Sequence, residues 1–326
     1  MNYRKFGNTD LLVSEIGFGT WAIGGGSMVG NAPIGWGDAD DQQSKKAILK
    51  ALDVGINFFD TADIYGLGHS EELIGNVIGN KKDVIIASKV GNVSRNGTFT
   101  SDYRKEYILQ ACEESLKRLK REAIDYYQLH SARLEDLKKE ECIEAMEQLV
   151  KSGKIRYWGL SLPTFDPVPE AHYFMSRQVG SGFQLVLNII NRTAIPLIKE
   201  IFAAGYGIIA RMPLQFGLLS GKFDSQTSFP DNDHRKRRLS KEIIEEYMKG
   251  QPELFLLSNK YDITQVQLAL SYLLSYKEIS TVIPGIRTSE QVLLNTEGIK
   301  RLSNEDREML ESIDFRVLLE MMREKG

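Results

Sequence analysis

Four side chains that could together move a proton are spaced along the first half of the chain. Asp60 and Tyr65 lie five residues apart, Lys89 is near the end of the next apolar run, and His130 ends the run after that. A free tyrosine has a pKa of about 10, which is too high for efficient proton transfer near neutral pH. A neighbouring ammonium group lowers that pKa, and a carboxylate paired with the ammonium fixes its position. With a neutral histidine to donate a hydrogen bond to a substrate oxygen, the set predicts carbonyl reduction by an external hydride donor.

The elements that must bring these side chains together are short apolar runs separated by amphipathic ones. Eight runs are bounded by turn residues and are typical of buried strands: 16–20, 57–62, 84–90, 125–130, 157–162, 183–188, 207–213 and 281–285. The spacing of apolar residues predicts helices at 41–54, 103–119 and 135–150. Gly55, Gly79 and Gly153 lie where C-terminal capping glycines belong. Near-continuous apolar strands that alternate with helices indicate a parallel sheet covered on both faces.

Strand–helix units of this kind can wind into an open sheet or a closed barrel. Eight units favour the (β/α)8 TIM barrel, so we predict an α/β fold with one barrel domain over residues 1–326. The predicted barrel has an N-terminal β-hairpin in 1–15, an insertion at 222–263 before the eighth strand, and a C-terminal helical tail.

Polar residues recur at the ends of the predicted strands. Six of the eight runs carry one at or near the carboxyl end: Asp60, Lys89, His130, Ser161, Asn188 and Arg211. In a barrel these ends converge on the face that holds the active site. Any one of them is weak support, since a strand-end Asp or Lys is more often a solvated turn residue. Their joint appearance at equivalent positions favours a functional site.

Composition excludes several other classes of protein. The 326 residues include 41 Lys plus Arg and 44 Asp plus Glu, so the net charge of −3 offers no chain-wide basic field to a nucleic acid. The apolar runs are shorter than the roughly 20 residues of a membrane span and no export signal is present, so we expect a cytoplasmic protein. Cys112 and Cys142 fit reduced, packed thiols. His69, His172 and His234 show no metal-ligand spacing, so no metal is expected.

Eight longer segments occur in a fixed order along the chain: GFGTWAIGG, FFDTADIYGLGHSEELIG, IIASKVG, IDYYQLHS, KIRYWGLSL, FQLVLNIINR, IIARMPLQFGLLSGKF and TVIPGIRTSEQVLLNTE. With them, the sequence resembles the aldo-keto reductase superfamily over essentially its full length. The resemblance implies a (β/α)8 barrel that binds an extended NADP(H) at its C-terminal face. It also implies that Asp60, Tyr65, Lys89 and His130 are the catalytic tetrad, with Tyr65 as the general acid and base.

The same resemblance assigns the cofactor site. The implied cofactor-binding residues are Gly19, Thr20, Trp21, Asp60, Ser161, Gln184, Met212, Pro213, Leu214, Gly217, Leu219, Ser220, Gly221, Lys222, Gly285, Arg287, Gln291 and Asn295. Ser161 and Gln184 would hydrogen-bond the carboxamide, and the run 212–222 would pass over the pyrophosphate. Arg287 is the only cation in PGIRTSEQ and would pair the 2′-phosphate, a role that suits a guanidinium.

Three features depart from the family pattern, one of them Leu187, which stands before Asn188 where many members have an aromatic residue. Ser161-Leu162 stands where a Ser-Asn pair is usual, and the first loop, 24–41, is long, as in the branch with bacterial reductases and potassium-channel β subunits. The implied walls of the substrate pocket are Trp21, Trp36, Tyr65 and His130, although Trp36 could equally be a loop anchor on the barrel rim.

Two other segments outside the tetrad carry distinctive residues. The basic run HRKRR at 234–238 is interpreted as a solvated loop, with a secondary contact to cofactor phosphates as the other reading. Met321 and Met322 are interpreted as packing or tail residues.

The implied function is NADPH-dependent reduction of an aldehyde or ketone to an alcohol, with a small-molecule carbonyl compound as the partner and neither nucleic acid nor membrane. One alternative is a cofactor-binding regulatory subunit on the same fold. It would be expected to carry a long N-terminal extension, whereas this chain begins almost directly at the hairpin. A barrel isomerase or aldolase for a phosphorylated sugar is another, since GLLSGK could mimic a phosphate cup, but it gives the four polar residues no ready role. The substrate, the direction in the cell and the oligomeric state stay open.

Overall fold

Eight parallel strands form a barrel in the computed structural model, which describes residues 1–30 and 32–325. The strands are β1 (Phe18–Gly19), β2 (Phe58–Asp60), β3 (Ile85–Val90), β4 (Ile124–His130), β5 (Ile155–Ser161), β6 (Gly182–Val186), β7 (Gly207–Arg211) and β8 (Thr281–Ile283). Each strand pairs with the next along the chain. Parallel bridges from Ile16 to Val282 and from Gly19 to Gly285 join β1 to β8, which closes the barrel. The predicted TIM barrel is confirmed.

Helices cover the outside of the barrel, as the amphipathic runs predict. Those before the insertion are Asp41–Asp53, His69–Val77, Lys105–Leu119, Leu134–Lys138, Glu141–Lys151, Val168–Ser176 and Ile195–Ala203. Gly55, Gly79 and Gly153 follow helix ends with positive φ angles, as predicted. The single helix predicted at 135–150 is wrong: the chain forms two helices separated by Lys139 and Glu140, and the left-handed φ of 64° at Glu140 interrupts the helix.

The N-terminal hairpin closes the bottom of the barrel. Tyr3–Lys5 pairs antiparallel with Leu12–Ser14, and the buried Phe6 between them packs edge-on against Tyr126 of β4, with 4.8 Å between ring centroids. Gly207 opens β7 directly beneath this ring, where a Cβ atom would lie 2.6 Å from the Phe6 carbons. The predicted hairpin is therefore confirmed, and position 207 requires a glycine because β7 passes close to the Phe6 ring there.

The loops at the carboxyl ends of the strands carry elements of their own. Short hairpins follow β1 (Ser27–Val29 with Ala32–Ile34) and β3 (Asn92–Arg95 with Thr98–Ser101). Between β7 and β8 lie the helices Arg235–Arg238, Lys241–Met248, Gln251–Tyr261 and Gln265–Leu274. After β8 come Ser289–Thr296 and the predicted tail, Asn304–Ser312 and Arg316–Glu324. Within the described residues, no helix has the length and apolar character needed to cross a membrane.

Candidate active site

A buried ion pair forms the centre of the carboxyl face. The Lys89 Nζ donates to Asp60 Oδ2 at 2.6 Å, to the Thr61 carbonyl at 2.8 Å and to the Tyr65 hydroxyl at 3.0 Å. These three contacts use all three ammonium protons. The Lys89 side chain is fully buried and that of Asp60 is 3% exposed. Strand pairing brings Lys89 and Asp60 together, because β2 and β3 are neighbours whose carboxyl ends lie at the same barrel face.

Two glutamines hold the other oxygen of Asp60. Oδ1 accepts from Gln184 Nε2 at 2.7 Å and from Gln128 Nε2 at 3.1 Å, and both amides are buried. Gln184 was predicted at the cofactor site, but sequence reasoning missed Gln128. A signal was present, because Gln128 lies two residues before His130 in β4 and side chains two apart share a face of a strand.

Tyr65 lies on a tight turn just beyond β2. The turn Tyr65–Gly68 contains left-handed residues, and a Cβ atom on Gly66 would lie 2.2 Å from the Gly24 carbonyl oxygen, so only glycine fits there. The Tyr65 ring packs edge-on against Trp21 with 4.8 Å between centroids. The turn therefore points the hydroxyl at Lys89 and fixes the ring against the first loop.

The net effect on the pKa of Tyr65 differs from the sequence prediction. Burial raises the pKa of the phenol, and this outweighs the opposing effect of the Lys89 ammonium, so the pKa lies above its usual value. Lys89 acts in the predicted direction, but the net shift is upward. Tyr65 is therefore held as a neutral phenol at neutral pH.

His130 ends β4 beside this phenol, with 6.0 Å between the two ring centroids. Burial, with the positive charges of Lys89 and Arg211, holds the pKa of His130 well below its usual range. The predicted neutral imidazole is thus supported by its surroundings. Its Nδ1 atom is buried and finds no hydrogen-bond partner among the residues that the structure describes.

One cavity of about 750 Å³ opens above these groups. Most of the predicted site residues line it: Gly19, Thr20, Trp21, Trp36, Asp60, Tyr65, His130, Gln184, Met212, Pro213, Leu214, Gly217, Ser220, Lys222, Gly285, Gln291 and Asn295. The loop after β7 reaches the cavity through left-handed residues, Met212 and Gly217 among them. Asn188 positions this loop by donating to the Met212 carbonyl at 2.9 Å and to Gln215 Oε1 at 2.6 Å. Trp36 fits both of its predicted roles, pocket wall and loop anchor, since its ring lines the cavity and packs against Gly285.

Five predicted residues do not line the cavity: Lys89, Ser161, Leu219, Gly221 and Arg287. Lys89 lies directly beneath it, and Ser161 is buried at the end of β5 next to Gln184 on β6. The Arg287 guanidinium ties down the first loop, with Nε donating to the Ala22 carbonyl at 3.2 Å and Nη2 to the Asp38 carbonyl at 2.7 Å. Its Nη1 makes no hydrogen bond to any described residue, so the predicted phosphate contact stays a prediction.

Basic side chains from the insertion, the tail and β7 also line the cavity. His234 lies with them but is neutral, because burial lowers its pKa to about 4. The interpretation of 234–238 as solvated is wrong for three of the five residues, because His234, Arg235 and Arg238 line the cavity, whereas Lys236 and Arg237 are exposed. The tail contributes Met322 and Arg323, and the strand-end Arg211 lines the same space. Lys222, Arg238 and Arg323 have no ion-pair partner in the described part of the chain. The cavity wall thus holds several free positive charges suited to an anionic ligand.

The sequence matches the model of the aldo/keto reductase family over residues 15–314. The chain belongs to the aldo/keto reductase family. It is 31% identical to the aldo-keto reductase YhdN of Bacillus subtilis over 307 residues, which cover 90% of this chain and 87% of that protein. It is 30% identical over 308 residues to the aldo-keto reductase yakc [NADP(+)] of Schizosaccharomyces pombe, covering 91% and 86%.

Solved structures of aldo-keto reductases share the fold. The holo form of aldo-keto reductase AKR11C1 from Bacillus halodurans superposes with a TM-score of 0.79 at 28% identity, covering 96% of each chain. The glycerol dehydrogenase AKR11B4 from Gluconobacter oxydans gives a TM-score of 0.81 at 29% identity, covering 96% of this chain and 94% of that one. Family membership and the barrel together make this chain a member of an oxidoreductase family.

Proposed function

We propose that this aldo-keto reductase catalyses the reversible, NADP(H)-dependent reduction of an aldehyde or ketone to an alcohol. The observation that carries the proposal is the position of Lys89 Nζ, within hydrogen-bond distance of both Asp60 and the Tyr65 hydroxyl beneath an open cavity. A phenol held on an ammonium is a proton donor whose conjugate base is stabilised at once by a charge 3.0 Å away.

The residues present fit a nicotinamide cofactor. The cavity of about 750 Å³ runs from the residues around Tyr65 to Asn295 on the helix after β8, which is room for an extended ligand. Lys222, Arg238 and Arg323 line it without an acidic partner among the described residues, which suits phosphate groups. The relative whose name carries NADP(+) supports the same cofactor. Arg287, with its free Nη1 atom, is the residue we propose to contact the 2′-phosphate.

Each part of the site has a defined task in this reaction. A bound reduced nicotinamide supplies the hydride that the carbonyl carbon accepts. The Tyr65 hydroxyl gives its proton to the carbonyl oxygen and becomes a phenolate, which Lys89 stabilises. The neutral His130 orients that oxygen by donating a hydrogen bond, and Asp60 holds Lys89 in place. The phenolate regains a proton from water, and the reverse sequence oxidises an alcohol.

The test is a panel of aldehydes and ketones assayed for NADPH consumption with the wild type and with Tyr65→Phe. The variant keeps the ring and its contact with Trp21 but removes the proton, so turnover should fall by about 10²–10⁴-fold. NADPH binding should survive, which separates a lost acid from a damaged cavity. Undiminished turnover in Tyr65→Phe would remove this residue as the acid.

A further inference from the structure

Arg211 places a guanidinium across the mouth of the barrel. The residue ends β7, and its Nη2 donates to the Leu162 carbonyl at 3.1 Å and to Thr164 Oγ1 at 3.3 Å, beyond the end of β5. The side chain therefore crosses over the end of β6. It lines the cavity, and its Nε atom is buried with no hydrogen-bond partner in the described chain. The contacts to neutral oxygens fix the guanidinium in place without neutralising it.

No carboxylate in the described chain balances this charge. Asp60 acts on the Arg211 guanidinium, but Lys89 already holds one of the Asp60 oxygens, and Gln128 and Gln184 hold the other. Tyr65 is also neutral at this end of the cavity, since burial raises its pKa above the usual value.

His130, whose ring centroid lies 6.0 Å from that of Tyr65, is neutral as well, because burial and the charges of Lys89 and Arg211 lower its pKa. Arg133 and Asp166 also line the cavity, but both are exposed, so water screens them and their opposite charges offset each other. The catalytic end of the cavity thus carries one net positive charge, on Arg211.

We propose that Arg211 makes this cavity bind the reduced nicotinamide cofactor in preference to the oxidised one. The inference rests on the proposed function. The nicotinamide ring is neutral when reduced and carries one positive charge when oxidised. A like charge held in the wall of a partly buried site repels the oxidised ring, and such pairs change an affinity by about tenfold or more.

This preference determines which cofactor form saturates the enzyme at low concentration, and therefore which direction of the reaction runs readily. An enzyme cannot change the overall equilibrium, but it can bind one cofactor form so weakly that the form leaves as soon as it is made. With Arg211 in the wall, carbonyl reduction turns a neutral ring into a cation that the site repels. Product release is thereby favoured for reduction and cofactor binding is disfavoured for alcohol oxidation, so the chain is biased towards a reductase.

The test measures binding rather than turnover. NADPH and NADP⁺ are titrated separately onto the wild type and onto R211M, R211K and R133M, with the fluorescence of the cavity tryptophans Trp21 and Trp36 as the signal. R211M removes the charge, R211K retains it, and R133M is the matched control because it removes an exposed cation from the same cavity. The wild type should bind NADPH more tightly than NADP⁺. The Kd for NADP⁺ divided by the Kd for NADPH should therefore exceed one in the wild type. This Kd ratio should fall by about tenfold or more in R211M and stay near the wild-type value in R211K and R133M.

Any one of several outcomes overturns the inference. A wild-type Kd ratio at or below one does so without any variant. So does an R211M that weakens both cofactor forms equally or leaves the ratio unchanged, and so does an R211K that shifts the ratio as far as R211M. If R211M does not fold, R211Q replaces it, since its amide can still donate to the Leu162 carbonyl without a charge. A wild type that binds neither form overturns the proposed function as well, whereas a lost preference with intact binding refutes only the role of Arg211.

Discussion

Replacing Lys89 by methionine should destabilise the fold through the carboxylate it leaves behind. The wild-type pair has side chains that are 0% and 3% exposed, with 2.6 Å between Nζ and Asp60 Oδ2, so solvent cannot screen the loss. At an effective dielectric constant of about 20, two charges about 4 Å apart interact by about 4 kcal/mol. Removing one member of a buried pair costs about 3–5 kcal/mol, because the other charge stays buried. We expect Lys89→Met to lower the free energy of unfolding by about this amount.

Urea unfolding at neutral pH measures the loss, and the matched control is the double variant Asp60→Asn with Lys89→Met. The double variant has no buried charge, and Gln128 and Gln184 can still donate to the side-chain amide oxygen that replaces the carboxylate, so it should recover about 2 kcal/mol or more. A single variant that loses less than about 1 kcal/mol, the size of a surface pair, would refute the reasoning. So would a double variant as unstable as the single one.

The remaining predictions concern pH, an ion pair whose carboxylate is fully buried, and the cofactor phosphate. Burial raises the pKa of Tyr65 above its usual value of about 10 and lowers that of His130 below its usual value of about 6.5, so the rate of carbonyl reduction should be flat from pH 7 to pH 9 and fall only at higher pH. A midpoint inside that range would contradict this. Arg118 Nε donates to the carboxylate of the fully buried Glu71 at 2.7 Å. Arg118→Met should therefore lower the free energy of unfolding, measured by heat or urea, by about 3–5 kcal/mol, and adding Glu71→Gln should recover most of this loss. No recovery in the double variant would argue against the buried charge as the cause. Arg287→Ala should weaken NADPH more than NADH by about 1.5–3 kcal/mol in fluorescence titrations, and equal losses would assign Arg287 to the first loop alone.

The sequence predicted the barrel and the meeting of the tetrad because both follow from periodicity. Once eight buried strands run in parallel, residues at their carboxyl ends must lie at the same face of the barrel. The proximity of Asp60, Lys89 and His130 could therefore be predicted from the strand pattern alone. Sequence patterns are less informative where tertiary contacts override them. The break at Glu140 has no glycine or proline to mark it, and the chain accepts a left-handed residue there to turn between two helices.

The site predictions failed where burial or long-range folding decides the outcome. The upward pKa shift of Tyr65 depends on how completely the phenol is desolvated, and this cannot be read from a neighbouring lysine in the sequence. The run 234–238 resembles a solvated loop locally, but the insertion folds back over the barrel mouth and brings Arg238 to the cavity. Gln128 was missed because an uncharged amide inside a strand resembles an ordinary core residue until its partner is known.

The join between β1 and β8 links ligand binding to the integrity of the barrel. The Gly19 amide donates to the Pro284 carbonyl at 2.9 Å, and the Ile286 amide donates back to the Gly19 carbonyl at 3.3 Å. Gly19 and Gly285, on the two sides of this join, both line the cavity. A ligand that spans them can bind only while the join is closed, so at 100 times its Kd it stabilises the closed barrel by about 2.7 kcal/mol. Hydrogen exchange at the Gly19 and Ile286 amides should then slow as the ligand is added. The exchange rate of these two amides would therefore measure how much of the site is occupied.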